Sequence, residues 1–253
     1  MPSTGRPAMK ILLINSNTSQ VVTDKVAAGA RAVASPGTEI LAVCGEFGAR
    51  VMGTRSEEAI GHHSTIALAA KHAPGCDAVV IAVSYDTGLR GTRELLDIPV
   101  VGMTEAALLT ACMLGGKIGL VNFGARVRPL YEELVASYGL SSRVAGWRTV
   151  ESTAAYKPGS DDELEALLVK QANDLVERDF AETVILTGAV MAGVAARIQS
   201  RVSVPVLDGI AAGVPQAELL ARACWPKPTR GSYAAPGKRE MVNVDAAVAK
   251  RYT

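Results

Sequence analysis

The sequence predicts an α/β protein made of two duplicated parallel-sheet units, and three observations carry that prediction. Short continuous apolar runs alternate with helix-length segments, the pattern of parallel strands covered on both faces. Three of those runs recur in the same order further along, at almost one spacing. The composition, 49% apolar and 20% charged over 253 residues, suits a globular chain with a sizeable core.

The elements follow in order. "KILLIN" from Lys10 is an apolar run ending in a polar turn, hence a first strand. The segment after Thr18 has helical spacing and stops at the breaker "ASPGTE". "EILAVC" is the second strand, and the Ala-rich stretch Ser56 to Lys71 is a helix ended by "HAPGC". A strand from Ala78 to Val83, a helix from about Thr87 to Leu96 and the short strand "IPVVG" complete the first unit. The repeat then begins. "KIGLVNFG" from Lys117 matches "KILLINSN" from Lys10, 107 positions earlier. "TVILTGAVMAG" from Thr183 matches "VVIAVSYDTG" from Val79 at 104 positions, and "VPVLDGIAAG" from Val204 matches "IPVVGMTEAA" from Ile98 at 106. One such match between apolar strands means little, whereas three in register indicate duplication.

The expected organisation is therefore two Rossmann-like parallel-sheet units related by a pseudo-two-fold. Residues 8–104 with 206–223 form the first unit and residues 105–205 the second. Residues 1–7 are a flexible N-terminus, and residues 224–253, rich in Pro, Gly and charge, are an irregular C-terminal arm. Ligands of open α/β sheets lie outside the carboxyl ends of the strands. The turns after Ile14, Val83, Val121 and Leu186 are thus expected to converge on one cleft between the units. Helix N-termini there direct free N–H groups inward, which suits a small ligand that is anionic or rich in carbonyls.

Composition also excludes. A net charge of +1 leaves no footprint for nucleic acid or an anionic membrane. No apolar run approaches the roughly 20 residues of a membrane span, and no secretory signal is visible. Cys44, Cys76, Cys112 and Cys224 form no CxxC pair and read as buried thiols, so a cytoplasmic protein is expected. Three histidines and four cysteines without ligand spacing give no metal signature, and there is no dinucleotide or Walker fingerprint. Neither metal nor cofactor is expected.

Several blocks between Lys10 and Ala223 resemble the aspartate/glutamate/hydantoin racemase superfamily, most nearly its hydantoin and allantoin racemase branch. "INSNTS" from Ile14 is similar to that branch's "INPNTS". "DTGLRGTRELLDIPVVGMTEAA" from Asp86 is similar to its "DPGL…RE…PVVGI.EAA", and "PVLDGIAAGV" from Pro205 to its "PV.DG...A". The resemblance implies proton transfer next to a carbonyl by two cysteines on opposite faces of the substrate. Aligning "AVSYDTGL" with the family's "ACFGDPGL" puts Val83 at the first cysteine, and aligning "LTGAVM" with "LGCAGM" puts Gly188 at the second. Both thiols are absent, and no other cysteine is expected at a strand end of the right kind. The two-thiol mechanism is not available.

Candidate residues fall in the predicted turns. Asn15, Asn17, Thr18 and Ser19 offer amides and hydroxyls to a carboxylate or ureide, although Asn17 or Thr18 also suits the cap of the following helix. Ser84, Tyr85 and Asp86 are candidate catalytic groups on a turn with Val83, Thr87 and Gly88. Asp86 suits equally the N-cap of the helix near Thr87, and a tyrosine base needs a lowered pKa. Thr187, Gly188 and Ala189 form the mirrored turn, whose backbone N–H groups can hold an oxyanion, and Asn122 is the repeat of Asn15. His62 or His63, about 100° apart on their helix, is a candidate proton carrier over the cleft, a solvated histidine being the plainer alternative. Glu105, in the segment that resembles the family's "EAA", suits packing or a subunit interface at least as well as catalysis, and Asp208 the cap of the last helix.

The sequence thus points to a cofactor-independent enzyme on a small cyclic ureide, imide or amide, or a related carboxylate, working without cysteine. Isomerase-type proton transfer is favoured. Hydrolytic ring opening and a non-catalytic small-molecule binding protein stay open, and a homo-oligomer is expected.

Overall fold

Eight strands, all parallel to their neighbours, form two four-stranded sheets of identical connectivity in the computed structural model, which describes residues 8–151 and 161–252. The expected flexible N-terminus, residues 1–7, lies outside them. In the first sheet the order is β2 (Glu39–Cys44), β1 (Lys10–Asn15), β3 (Ala78–Ile81), β4 (Val100–Gly102). In the second it is β6 (Val144–Val150), β5 (Ile118–Phe123), β7 (Thr183–Leu186), β8 (Val206–Asp208). The central strands β3 and β7 are wholly buried and β1 and β5 are buried at all but one end residue each, and their apolar positions are mostly β-branched or leucine, as in strands covered on both faces.

Helices cover the sheets. They are α1 (Gln20–Val33), α2 (Arg55–His72), α3 (Leu89–Leu95), α4 (Met103–Leu114), α5 (Arg128–Ser137), α6 (Asp161–Asp179), α7 (Val194–Ile198), α8 (Gly209–Ala223) and α9 (Ala246–Ala249). The two sheets share a core because the helix after each fourth strand crosses over. α8 packs on β3 and β4 of the first sheet, α4 on β7 and β8 of the second, and the two helices lie against each other. One apolar cluster therefore runs through both halves, from Leu13 and Val80 through Leu108 to Leu120, Ile185 and Val214. Each such side chain contributes roughly 1.5–3 kcal/mol by leaving water, so the halves are held as one body.

Three expectations are corrected. The sequence places residues 206–223, and so β8, with the first unit, yet β8 pairs with β7 in the second sheet, and the crossover begins only with α8. The helix expected from Thr87 starts at Leu89, because Asp86 (φ 50°) and Gly88 (φ 80°) are left-handed and hold the chain in a turn. Within the irregular arm, α9 is helical, and its Val248 packs on Ala70 of α2 and Leu95 of α3.

Candidate active site

Register makes the turns of the two halves comparable. Ile14 of β1 lies opposite Ile81 of β3, and Val121 of β5 lies opposite Leu186 of β7. The amide of the next residue closes each pair in the same way, Ala82 N–H to the Ile14 carbonyl at 2.8 Å and Thr187 N–H to the Val121 carbonyl at 2.9 Å. Two residues beyond the strand ends, Val83 and Gly188 are thus equivalent. Both line one cavity of about 160 Å³ between the carboxyl ends of the sheets.

All four strand-end turns reach that cavity. Asn17 comes from β1, Val83, Ser84 and Tyr85 from β3, Phe123 from β5, and Thr187, Gly188, Ala189 and Val190 from β7. Val51, Met52 and Gly53, in the loop before α2, form another wall, and Val127 and Tyr131 arrive from the start of α5. The Tyr85 and Tyr131 rings, one from each half, pack with centroids 4.8 Å apart. Around them Met52, Val83 and Leu130 complete a small apolar cluster.

The electrostatics are unusual for an enzyme. No Asp, Glu, His, Lys, Arg or Cys is among the lining residues, and the phenols of Tyr85 and Tyr131 are the titratable groups there. What the cavity offers instead is dipoles. Gly188 (φ 112°) opens a short 3₁₀ turn, Ala189–Met191, and the amides of Gly188, Ala189 and Val190 donate to no backbone carbonyl among the described residues. Such a row of N–H groups fits a carbonyl oxygen that gains negative charge. The Thr187 hydroxyl gives its proton to the Val121 carbonyl at 3.0 Å, which leaves its oxygen to accept.

Of the residues expected at the site, Asn17, Val83, Ser84, Tyr85, Thr187, Gly188 and Ala189 line the cavity, and the others do not. Asn15 and Asn122 are fully buried beneath it. Asn15 braces the first turn, donating to Asn17 Oδ1 at 2.9 Å and to Thr23 Oγ1 at 2.8 Å, and Asn122 braces its counterpart through Gly124 O at 3.0 Å. Ser19, rather than Asn17 or Thr18, caps α1, accepting from Val22 N. The amide of Thr18 ties that turn to Ala49 at 3.0 Å, and the Thr87 carbonyl accepts from Thr65 Oγ1 at 2.8 Å. Gly88, left-handed, is the backbone cap of α3. His62 lies outside the cavity, about half exposed and 3.5 Å from Glu58, because α2 turns Leu68 and Ala69 inward and its histidines outward.

Asp86 departs furthest from expectation. It makes no cap for α3 and does not line the cavity. Its buried carboxylate caps α4 instead, accepting from Thr104 N at 3.0 Å, Glu105 N at 2.7 Å and the Tyr138 hydroxyl at 2.7 Å. Burial pushes it up to about 7, against the lowering effect of those three donors. Asp208 caps α8 as expected. Glu105 pairs with Arg93 at 2.6 Å. Among the cysteines, Cys44 does close a strand, β2, but its thiol faces the Asn17 carbonyl at 3.5 Å and does not line the cavity.

The sequence reading missed Val22, Val51, Met52, Gly53, Phe123, Val127, Tyr131 and Val190. Phe123 and Val190 lie inside the repeated blocks and were within reach. Tyr131 stands on a helix face whose spacing reads as core.

The model of the Asp/Glu/Hydantoin racemase family matches residues 11–217. Hydantoin racemase of Pseudomonas sp. (strain NS671) is 32% identical over 92% of this chain and 94% of its own. Among solved structures, allantoin racemase from Klebsiella pneumoniae is 29% identical, with a TM-score of 0.89 over 95% of this chain and 98% of its own. Allantoin racemase from Pseudomonas fluorescens is 33% identical, with a TM-score of 0.85 over 93% of this chain and 100% of its own. Sequence and fold agree over nearly the whole length, so the chain belongs to the Asp/Glu/hydantoin racemase family and is an enzyme of that isomerase superfamily.

Proposed function

We propose that the protein is a cofactor-independent isomerase of a small cyclic ureide or imide, moving a proton at the carbon next to a carbonyl without a thiol pair. The observation that carries this is the cavity itself. It sits where the strand ends of both halves meet, and its lining holds amide donors and two phenols but no thiol and no charged side chain. A neutral ring bearing carbonyls fits such a lining. The amides of Gly188, Ala189 and Val190 receive the carbonyl oxygen, and Asn17, Ser84 and Thr187 pair with ring N–H and C=O groups.

In the reaction, a base at the Tyr85–Tyr131 wall, a tyrosine oxygen or a water that it holds, takes the proton from carbon. The C–H electron pair forms the C=C bond, and the carbonyl π pair moves to oxygen as an enolate against the amide row. Proton return to carbon reforms the carbonyl. Return from the tyrosine wall restores the original configuration; return from water on the other face inverts it, and the hydroxide so formed recovers a proton from the protonated base at the wall through solvent. Relatives named for hydantoin and allantoin define the compounds to try first.

The test incubates single enantiomers of allantoin and of a 5-substituted hydantoin with the protein in D₂O, following optical rotation and mass. Loss of rotation with gain of one deuterium at carbon is the expected result. A ring-opened product carrying one added water makes the protein a hydrolase instead. Binding without exchange or turnover makes it a binding protein.

A further inference from the structure

We propose that Asp86 is a positioning residue: its carboxylate pins the cavity turn bearing Tyr85 to α4 and, through Tyr138, to the opposite half that bears Tyr131. The inference rests on the isomerase reading for its kinetic arm and on geometry alone for the rest. Tyr85 and Asp86 are neighbours on one turn, with Tyr85 directed to the cavity and Asp86 away from it. Tyr138, the C-cap of α5 with helical backbone, follows Tyr131 by seven residues, about two turns, and so lies on the same side of that helix. The two contacts are therefore parallel links between the same two pieces of chain. One is the 4.8 Å ring contact at the cavity, and the other is the 2.7 Å hydrogen bond behind it.

The turn has little freedom once that bond is made. Asp86 N–H donates to Val83 O at 2.9 Å, Leu89 N–H to Asp86 O at 2.9 Å, and Thr104 Oγ1 to Ser84 O at 2.6 Å. A left-handed aspartate costs energy unless its surroundings hold it, and here the carboxylate's three donors do so. Space is reserved for it as well. A Cβ at Gly102 would stand 2.5 Å from the Asp86 carboxyl carbon, so glycine there admits the carboxylate.

The charges around Asp86 are mixed. Glu105 on α4 opposes its ionisation, and Arg93 on α3 is neutralised by Glu105. Outside it, Glu58 and His62 of α2, Arg90 of α3 and Glu133 of α5 line an outer pocket of about 260 Å³ that Tyr85 and Tyr138 also line. An ionised carboxylate accepts from all three donors, whereas the protonated acid gives up part of that capacity.

The test compares wild type, Tyr138→Phe and Asp86→Asn from about pH 5.5 to about pH 9, by amide hydrogen exchange over residues 83–88 and by turnover of a cyclic ureide. In wild type, protection of that segment, corrected for intrinsic exchange, should fall as pH rises toward about 7 and level off above it, because the opened turn lets Asp86 ionise at its ordinary value. Tyr138→Phe removes a donor that favours the ionised form, so the transition should move to higher pH. Its kcat should fall about 10- to 100-fold with KM little changed, the cost of a misplaced reacting group. Asp86→Asn should abolish the transition. Equal protection in all three proteins, or a lower thermal midpoint with the transition unmoved, overturns the proposal and leaves Asp86 as a helix cap. If wild type turns over no ureide, the isomerase reading fails, while the exchange measurements still decide the role of Asp86.

Discussion

Asp86 and Asp208 do the same work from different strands. Asp208, the last residue of β8, caps α8 through Ile210 N at 3.0 Å and Ala211 N at 2.9 Å. Asp86, from the turn after β3, caps α4 through Thr104 N and Glu105 N, the donors that Ile210 and Ala211 repeat. The position matching Asp208 is Gly102, since each is the β4 or β8 partner of the final β3 or β7 residue, Ile81 or Leu186. Asp208 in turn accepts from Gly193, which repeats Gly88, at 3.1 Å. Each half thus uses one buried carboxylate to tie its cavity turn to the next helix, supplied from opposite ends of the tie.

Gly102→Ala should accordingly be costly for a surface-neutral change. The added carbon meets the Asp86 carboxyl group, and a buried carboxylate cannot move without losing its donors. Overpacking of this kind typically costs about 1–3 kcal/mol. Asp208→Ala should cost about 0.5–2 kcal/mol through the lost cap. Denaturant titrations of both variants check the pair, and a Gly102→Ala protein as stable as wild type would show that the contact relaxes freely.

The pH dependence of stability should report Asp86. Its carboxyl is raised by burial from 3.8 to about 7, so the folded protein holds a proton there that the unfolded chain releases. The stability this adds is fully present below the unfolded value and is lost as pH rises through about 7. Relative to Asp86→Asn, wild type should therefore lose thermal midpoint between about pH 5 and pH 8. Parallel midpoint curves for the two proteins would contradict the shift.

Much of this arrangement was legible in the sequence, and the reason is local. Buried parallel strands are continuous apolar runs, so β1, β3, β5 and β7 announce themselves, and their repetition places Val83 and Gly188 as equivalents. Contacts between distant segments were not legible. Nothing near Asp86 shows that it caps a helix beginning at Met103, because the cause is the missing side chain at Gly102. Tyr131 and Tyr138 sit on an amphipathic helix where spacing predicts burial but not the partner. His62 stood only as a candidate for the cleft beside the plainer solvated reading, which its exposure bears out, because the segment's many alanines blur which face of α2 is buried.

Placing cysteines where the family resemblance puts them should affect the two positions unequally. Val83 is buried, and Val83→Cys removes little volume, so a loss of about 0.5–1.5 kcal/mol is expected. Gly188→Cys has room, with Val190 Cγ2 at 3.7 Å and Met191 Cγ at 3.8 Å from a new Cβ, but its φ of 112° strains any side chain. Such strain costs about 1–3 kcal/mol. Thermal midpoints should fall further for Gly188→Cys, and the reverse order would mean that this turn readily changes its backbone.

The phenols decide the chemistry. If the Tyr85–Tyr131 wall moves the proton, Tyr85→Phe and Tyr131→Phe remove acid–base hydroxyls while keeping both rings and their 4.8 Å packing. Loss of a general acid or base typically lowers rate about 10²–10⁴-fold. Loss of one hydroxyl's hydrogen bonds costs only about 1 kcal/mol of stability. One variant should therefore lose deuterium exchange into the ureide with its thermal midpoint nearly kept, which names the proton acceptor. The other should lose less and chiefly raise KM, as expected of a group that orients the ring. Ser84→Ala serves as the comparison, since Ser84 lines the same cavity without a titratable group. If both phenylalanine variants exchange at the wild-type rate, the base is water held by the turn amides, and the tyrosines are walls.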